Sequence, residues 1–417
     1  MTIAHIAIWA ICVLATLGVL ICPFQWPEAI WACLGAVVLV LSGLLPAAAA
    51  GQAVGKGLDV YLFLTGMMLL SETARREGLF DWVAAFAVNK SARSPRRLFL
   101  LVYAVGTLVT AFLSNDAAAV VLTPAVYAAA RKAKVEPLPY LFICAFIANA
   151  ASFVLPISNP ANLVLYGDHT PPLGQWLASF AVPSVLSVIA TFAMLRLVES
   201  ARLEQRFEAD AEQPRLSGGG WTALIGIALT GLALLFVSAL DQKLGLPTCL
   251  LGLATTTVVL CRNREAPWST IKGVSWSVLP LVAGLFVLVQ AIDRTGLTSA
   301  LGEALNEMTS RSIAGAGAAA GGLIALTSNL MNNLPAGLIA STTLAQAHPP
   351  QKVIDALLIG VDLGPNLSIT GSLATILWLT AIRREGETVG FWRFLKVGIL
   401  VTPPALMLAI GARMLIP

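Results

Sequence analysis

Long apolar runs, each close to the length that crosses a lipid bilayer, recur along the whole chain. Clear examples are residues 5–22, 221–240 and 274–292, and about 20 apolar residues cross the hydrocarbon core as one helix. Only 12% of the residues are charged and 57% are hydrophobic, whereas soluble domains carry about 25% charged residues. The sequence therefore predicts an all-α polytopic membrane protein, and not a soluble domain with a single anchor.

The apolar runs predict about ten transmembrane helices and two re-entrant hairpins. The hairpins cover 97–131 and 312–346, and their apolar arms of ~13–17 residues are short for full crossings. If a hairpin instead crossed the membrane twice, the segments that follow it would stay on the same sides. A re-entrant hairpin and two full crossings therefore both stay open. The ten predicted spans are 5–22, 27–45, 58–75, 138–166, 176–197, 221–240, 245–261, 274–292, 353–382 and 394–415.

The basic residues are distributed unevenly between the two sides of this predicted topology. Twenty of the 26 Lys and Arg fall on the side that contains the segment 199–220. Lys and Arg are enriched in cytoplasmic loops, so that side is predicted to be cytoplasmic and both termini are predicted to lie outside. We expect the inner (plasma) membrane of a bacterium, with the lipid bilayer and no nucleic acid as a partner.

Two stretches of the chain resemble one another at a constant spacing. "GMMLLSETARREGL" begins at Gly66 and "GLFVLVQAIDRTGL" begins at Gly284, and Gly78 and Gly296 then match at the same offset. Later polar motifs of the first half also have counterparts in the second half. The chain is therefore predicted to contain an internal repeat.

The repeat divides the chain into residues 1–198 and 221–417, joined by the charged linker 199–220. Each half is predicted to hold five spans and one hairpin. An odd number of spans turns the second half upside down relative to the first, so we expect two inverted-topology repeats with broken helices at the midplane.

Four polar clusters interrupt the apolar runs at corresponding places of the two halves. Residues 114–116 and 328–333 form the predicted hairpin tips, and residues 158–162 and 364–372 interrupt a span in each half. Non-helical backbone at membrane depth is tolerated only where protein or a water-filled cavity satisfies it. A single Asn is readily explained as a hydrogen bond between helices, but four related clusters predict one shared pocket for a small polar solute.

The polar side chains of these clusters are the candidate site residues. Asp116, at the first tip, is the predicted proton carrier, because a carboxylate within the membrane is costly and is a functional candidate by default. Asp362 is a possible second carrier, or else a helix cap or ion-pair partner. Other acidic residues near span ends are read as interfacial, namely Asp59, Glu72 and Asp293, and Glu28 and Asp355 are weaker candidates still. The predicted solute-binding residues are Ser114, Asn115, Asn159, Asn162, Ser328, Asn329, Asn332, Asn333, Gly371 and Ser372.

No motif in the sequence indicates an enzyme. "GQAVGKG" at 51–57 resembles a phosphate-binding loop, but its spacing is too short and Gly57 stands where Ser or Thr is required. The six cysteines are dispersed without a CxxC pair. We therefore expect no cofactor, no metal site and no catalytic residues, and we expect an ion gradient or a partner to drive the movement of a solute.

The polar motifs together resemble one known family. "FLSNDAAAVVLTP", "SNPANLV", "SNLMNNLP" and "GVDLGPNLSITGSLATILWL" closely resemble the ArsB family of arsenite efflux pumps, in the ion transporter superfamily, along essentially the whole chain. The resemblance implies export of arsenite and antimonite as neutral hydroxides in exchange for protons. It also implies, for some members, a cytoplasmic arsenite-stimulated ATPase as a partner.

Two details qualify the resemblance. Related dicarboxylate carriers have Ser-Asn-Thr tips associated with Na⁺ and carboxylate binding, and Asp116 in the place of that Thr favours a neutral solute and a proton. After Gly364-Pro365 the family commonly has Lys-x-Thr-Pro-Ile-Gly, whereas this chain continues from Asn366 to Thr370 without Lys or Pro. A Na⁺/H⁺ antiporter, a dicarboxylate carrier and an exporter of another neutral metalloid hydroxide remain alternatives, and a channel or intramembrane enzyme is the least favoured.

Overall fold

The computed structural model describes residues 2–167, 170–204 and 215–416, and every regular element in these ranges is a helix. Of the predicted linker 199–220, residues 205–214 lie outside the described residues. Short 3₁₀ turns and one π-helical turn accompany the α-helices. The prediction of an all-α fold is confirmed.

Eleven α-helices precede the linker. They are α1 (Ile3–Ile21), α2 (Glu28–Leu41), α3 (Ala47–Lys56), α4 (Leu58–Arg76), α5 (Leu79–Lys90), α6 (Pro95–Phe112), α7 (Asn115–Ala117), α8 (Thr123–Lys132), α9 (Leu138–Ala150), α10 (Pro160–Tyr166) and α11 (Leu173–Val198).

Ten α-helices follow the linker in a similar order of long, bent and broken elements. They are α12 (Gly218–Ala239), α13 (Gly245–Asn263), α14 (Trp268–Gly273), α15 (Val278–Asp293), α16 (Leu297–Arg311), α17 (Ile313–Met331), α18 (Asn333–Ala347), α19 (Gln351–Leu363), α20 (Leu373–Arg384) and α21 (Phe391–Leu415).

Local sequence signals explain where several of these helices begin. Ser94, Ser217 and Ser312 precede α6, α12 and α17, and each hydroxyl accepts the N–H of the residue three positions later. Such caps satisfy backbone donors that have no partner within the helix. Gly78 and Gly296, matched in the repeat, both have positive φ, of +71° and +83°. Glycine adopts this conformation without strain. Gly78 separates α4 from α5, and Gly296 separates α15 from α16, which meet at 73°.

Within the described ranges, seven helices are long and apolar enough to cross a membrane: α1, α6, α11, α12, α13, α17 and α21. The bent pairs α3–α4 (47°) and α15–α16 (73°) raise this number to nine. The ten predicted spans differ from this set because α2 has only 14 residues and because spans 138–166 and 353–382 are broken, as the sequence predicted. The first arm of each predicted hairpin, α6 in one and α17 in the other, has 18 and 19 residues respectively. Both arms are longer than expected. Helices α5 and α16 were not predicted, since their sequences mix polar and apolar residues.

Helices of the two halves pack reciprocally against one another at glycines. A Cβ at Gly66 of α4 would lie 2.2 Å from the carbonyl oxygen of Thr248 in α13. A Cβ at Gly284 of α15 would lie 2.8 Å from the carbonyl carbon of Ala32 in α2. These contacts are closer than side chains permit, so the matched glycines hold the backbones of the two halves together. The inverted orientation of residues 1–198 and 221–417 stays a prediction.

Candidate functional site

The first hairpin tip is a short break between α6 and α7. Ser114 is its N-cap, since its hydroxyl accepts the N–H of Ala117 at 3.3 Å, and Asn115 Oδ1 accepts the N–H of Asp116 at 2.9 Å. Ser114 and Asn115 are buried, whereas Asp116 is partly exposed. A π-helical turn over Ala118–Leu122 follows the tip, and such turns are frequent at functional sites.

The first broken span contains a non-helical segment between α9 and α10. Asn159 caps α10, and its Oδ1 accepts the N–H of Ala161 at 3.0 Å. Asn162 is fully buried, and its Nδ2 donates to the carbonyl of Ser152 at 2.9 Å and to the carbonyls of Leu155 and Pro156, both at 3.3 Å. Asn162 therefore holds the broken segment in shape through its Nδ2, while its Oδ1 has no hydrogen-bond partner among the described residues.

The second hairpin tip lies between α17 and α18. Asn332 has a φ of +75°, a conformation that Asn tolerates better than most residues. Its Oδ1 caps α18 by accepting the N–H of Leu334 at 3.3 Å. The N–H of Asn333 donates to the carbonyl of Gly371 at 2.9 Å, so the second tip is bonded directly to the second broken span.

Asn329 connects α17 to the second broken span. Its Nδ2 donates to the carbonyl of Gly364 at 3.0 Å, and its Oδ1 accepts the hydroxyl of Ser368 at 2.8 Å. A Cβ at Gly371 would lie 2.7 Å from this Oδ1 and 2.5 Å from Cα of Pro365. The backbone approaches so closely here that only glycine fits without rearrangement.

A second amide cluster, which the sequence analysis missed, joins α9 to the second broken span. Asn149 Nδ2 donates to Asn366 Oδ1 at 3.0 Å and to Thr375 Oγ1 at 3.3 Å. Asn366 Nδ2 in turn donates to the carbonyl of Phe146 at 2.9 Å. Asn149 is the penultimate residue of α9, as Asp362 is of α19, so a residue-by-residue alignment of the halves would have identified it. Asn366 thus stands among amides where the family commonly has Lys.

Asp362 lies behind the first broken span. It is completely buried, and its Oδ1 accepts Asn159 Nδ2 at 2.8 Å. Its Oδ2 has no hydrogen-bond partner among the described residues. Asp362 therefore contacts the site through Asn159, and not directly.

The four breaks meet at one narrow crevice with a cavity volume of about 10 Å³. Two lining residues come from each break or from the start of the helix that follows it, and α4 and α15 contribute one each. The helices that begin at the crevice carry partial positive charge at their N-termini, which favours oxygen atoms of a solute. None of the lining residues is Lys, Arg or His. They are Leu64, Asn115, Asp116, Asn159, Pro160, Val278, Asn333, Leu334, Leu373 and Ala374.

The predicted site residues thus divide into three groups. Asn115, Asp116, Asn159 and Asn333 line the crevice. Ser114, Asn332 and Ser372 cap the helices that start there, Ser372 by accepting the N–H of Thr375 at 3.1 Å. The breaks are held in shape by Asn162, Asn329, Gly371 and Asp362. Ser328 stands outside these groups, since it donates to the carbonyl of Ile324 in its own helix, at 2.8 Å.

Among the described residues, no group of three or more His, Cys, Asp or Glu is arranged to hold a metal ion. Asp355, which the sequence marked only as a weak functional candidate, is fully buried and paired with Arg413. Its carboxyl accepts hydrogen bonds from Tyr166 of α10 and from Arg413 of α21.

A family model described as citrate transporter (CitMHS) matches residues 8–361. The chain belongs to this family. An arsenical pump membrane protein of Escherichia coli is 27% identical over 401 residues, which cover 91% of this chain and 92% of that protein. An arsenical pump membrane protein of Yersinia enterocolitica is 26% identical over 365 residues, 83% of each chain. The resemblance seen in the polar motifs is thereby confirmed.

Two solved transporters share the fold. The YdaH transporter of Alcanivorax borkumensis aligns with a TM-score of 0.60 at 16% identity, covering 96% of this chain and 97% of that chain. MtrF of Neisseria gonorrhoeae aligns with a TM-score of 0.54 at 12% identity, covering 99% and 94%. Family, relatives and apolar helices together make this chain a multi-pass membrane protein and a secondary transporter.

Proposed function

We propose that this transporter exports arsenite, and antimonite, as the neutral trihydroxide across the bacterial inner membrane in exchange for protons. The observation that carries the proposal is the crevice where the four breaks meet. There a single carboxyl, Asp116, stands with the amides of Asn115, Asn159 and Asn333, and no lining side chain is basic.

The amides suit a neutral trihydroxide. An Asn side chain both donates and accepts hydrogen bonds, and each hydroxyl of the solute does the same. Two of the lining amides come from the first half and Asn333 comes from the second, so a solute held by all three would bridge the halves. No thiol is needed for this mode of binding.

The carboxyl suits proton exchange. Asp116 is partly exposed to a crevice whose other walls include Leu64, Val278 and Leu373. A charge among apolar groups is costly, so Asp116 would release its proton only when the crevice is open to water. Asp362, behind Asn159, is the proposed second carrier, because its Oδ2 has no hydrogen-bond partner within the described part of the chain.

The orientation and the partner follow the sequence analysis. Both termini would lie outside and the linker 199–220 in the cytoplasm. An arsenite-stimulated ATPase, where one is present, would dock on that cytoplasmic face. The names of the Escherichia coli and Yersinia enterocolitica relatives support the arsenical substrate.

A carboxylate carrier is the second candidate. The family description and the helix N-termini at the crevice favour it. The lining of the crevice opposes it, since a citrate anion would meet the Asp116 carboxyl without a Lys or Arg to balance its charge.

Everted vesicles from a pump-deficient bacterium separate the two candidates. Arsenite, antimonite and citrate uptake would be measured with an imposed pH gradient, with and without Na⁺. We expect arsenite accumulation that depends on the pH gradient and not on Na⁺, and loss of that dependence in Asp116→Asn. Glu303→Gln, on the exposed face of α16, is the matched control. Na⁺-dependent citrate uptake without arsenite uptake would replace the proposal by the alternative.

A further inference from the structure

The short helix α10 belongs to the first half but is bonded at both ends to α19 of the second half. At its start, Asn159 Nδ2 donates to Asp362 Oδ1 at 2.8 Å. At its end, the Tyr166 hydroxyl donates to Asp355 Oδ1 at 2.6 Å. Both bonds are buried.

The spacing of these two bonds is matched on the two helices. Asn159 and Tyr166 are seven residues apart along the chain, and so are Asp355 and Asp362. Seven residues make about two helical turns, so both carboxyl groups lie on the same face of α19. Because the order is reversed, α10 runs antiparallel to α19 with one bond at each end.

The carboxyl at the Tyr166 end is itself fixed by the second half. Arg413 Nε of α21 donates to Asp355 Oδ2 at 2.7 Å, and the two side chains are only 5% and 0% exposed. Gln351 Nε2 donates to Asp355 Oδ1 at 2.7 Å and to the Tyr166 hydroxyl at 3.2 Å. Asp355 is therefore held by α19 and α21 and offers Tyr166 a rigid acceptor.

The location of α10 makes its alignment matter. Its first residues line the crevice, while Leu163 and Val164 line a larger cavity of about 260 Å³ between the halves. Leu338 of α18 lines the same cavity, and α18 also begins at the crevice. One turn of α10 and one turn of α18 thus separate the two spaces. A shift of α10 would move both the Asn159 amide and this barrier.

We propose that Tyr166 and Asp355 are positioning residues for solute binding. They set the position of α10 along its axis and its rotation, so that the Asn159 amide faces the crevice. They also make α10 move together with α19 and not with the first hairpin. The choice of arsenite as the solute in the test rests on the proposed function. The alignment of α10 itself does not.

Tyr166→Phe is the sharpest variant, because it removes one hydroxyl and keeps the ring. Loss of one hydrogen bond that acts on ground-state binding should raise KM for arsenite about fivefold with kcat nearly unchanged. Tyr140→Phe is the control, because the Tyr140 hydroxyl donates to the carbonyl of Pro95 at 3.3 Å, within the first half. A merely structural role would lower the amount of folded transporter and leave KM unchanged.

Hydrogen exchange of the full-length protein in detergent gives a readout that needs no solute. In Tyr166→Phe, exchange should speed up in residues 160–166 and not in α8, while Tyr140→Phe should leave residues 160–166 as in the wild type. If KM stays at the wild-type value, the positioning role is overturned, whether or not α10 exchanges faster. If the wild type moves no arsenite, the proposed function fails. Independently of transport, an unchanged exchange rate of residues 160–166 in Tyr166→Phe would overturn the role of Tyr166 in aligning α10.

Discussion

The two hairpin tips perform the same architectural task with different degrees of attachment. At the second tip, Asn329 bonds to Gly364 and Ser368 of the second broken span, and the backbone of Asn333 bonds to Gly371. At the first tip, the hydroxyl of Ser158 donates to the carbonyl of Ala111 at 3.0 Å and links the broken span to the end of α6.

The difference coincides with where the charge lies. The first tip carries Asp116, two residues after the N-cap Ser114, and is followed by the π-helical turn Ala118–Leu122. At the second tip, Leu334 stands two residues after the N-cap Asn332 and so takes the place of Asp116. Segments with fewer packed and bonded contacts open at lower free energy. The second tip is therefore expected to be the fixed side of the crevice, and the first tip the side that adjusts in the proposed proton exchange.

The largest effect should come from making the first tip like the second. Asp116→Leu removes the only carboxyl that lines the crevice among the described residues. We expect arsenite uptake driven by a pH gradient to fall to the level of vesicles that lack the transporter. Uptake that keeps its response to the gradient would show that the proton is carried elsewhere.

The second largest effect should come from releasing the fixed tip. Asn329→Ala removes the amide that donates to the carbonyl of Gly364 and accepts the hydroxyl of Ser368. Each buried group left unpaired costs about 1–3 kcal/mol. We expect the free energy of unfolding in detergent to fall by roughly 2–4 kcal/mol. A loss below about 1 kcal/mol would mean that the second tip is not held in the way described.

A close backbone contact at Gly371 tests the attachment of the second tip without removing a side-chain hydrogen bond. Gly371→Ala places a Cβ 2.5 Å from Cα of Pro365, and such overpacking costs about 1–3 kcal/mol of stability. Gly322→Ala in α17 is the control, because nothing lies within 4 Å of its Cβ position, and alanine favours a helix by up to about 1 kcal/mol. Thermal unfolding of both variants should therefore shift in opposite directions.

The smallest effect should come from the looser tip. Ser158→Ala removes the hydroxyl that donates to the carbonyl of Ala111 and accepts the N–H of Leu155 at 3.1 Å, which should cost about 1–2 kcal/mol. A larger loss of thermal stability than that of Asn329→Ala would reverse the comparison between the tips.

The sequence predicted the breaks and their meeting at one place, because polar residues within apolar runs and an internal repeat are both visible without coordinates. It did not distinguish residues that line the crevice from those that cap or brace it. Asn115 and Asn162 are the same residue type in similar motifs, yet one faces the crevice and the other bonds three carbonyls of its own loop. That difference depends on side-chain direction within a non-helical segment, which periodicity does not describe.

The residues that the sequence analysis undervalued share one property. Asn149, Tyr166 and Asp355 each lie near the end of a helix, and each finds its partner on a helix more than 180 residues away. A lone polar residue at a helix end is typical of an interface with water, so only the packing of α10, α19 and α21 reveals its burial. Helices α5 and α16 were missed for a related reason, since neither has a continuous apolar run.

The reciprocal glycine contacts of Gly66 with α13 and of Gly284 with α2 have a consequence for how the protein matures. Synthesis proceeds from the N-terminus, so α2 and α4 are inserted before their packing partners have been translated. Their closely fitting backbone surfaces must face lipid or other proteins until α13 and α15 arrive. Assembly of the transporter is therefore completed late, and a chain truncated before residue 245 would lack the surfaces on which its own helices settle.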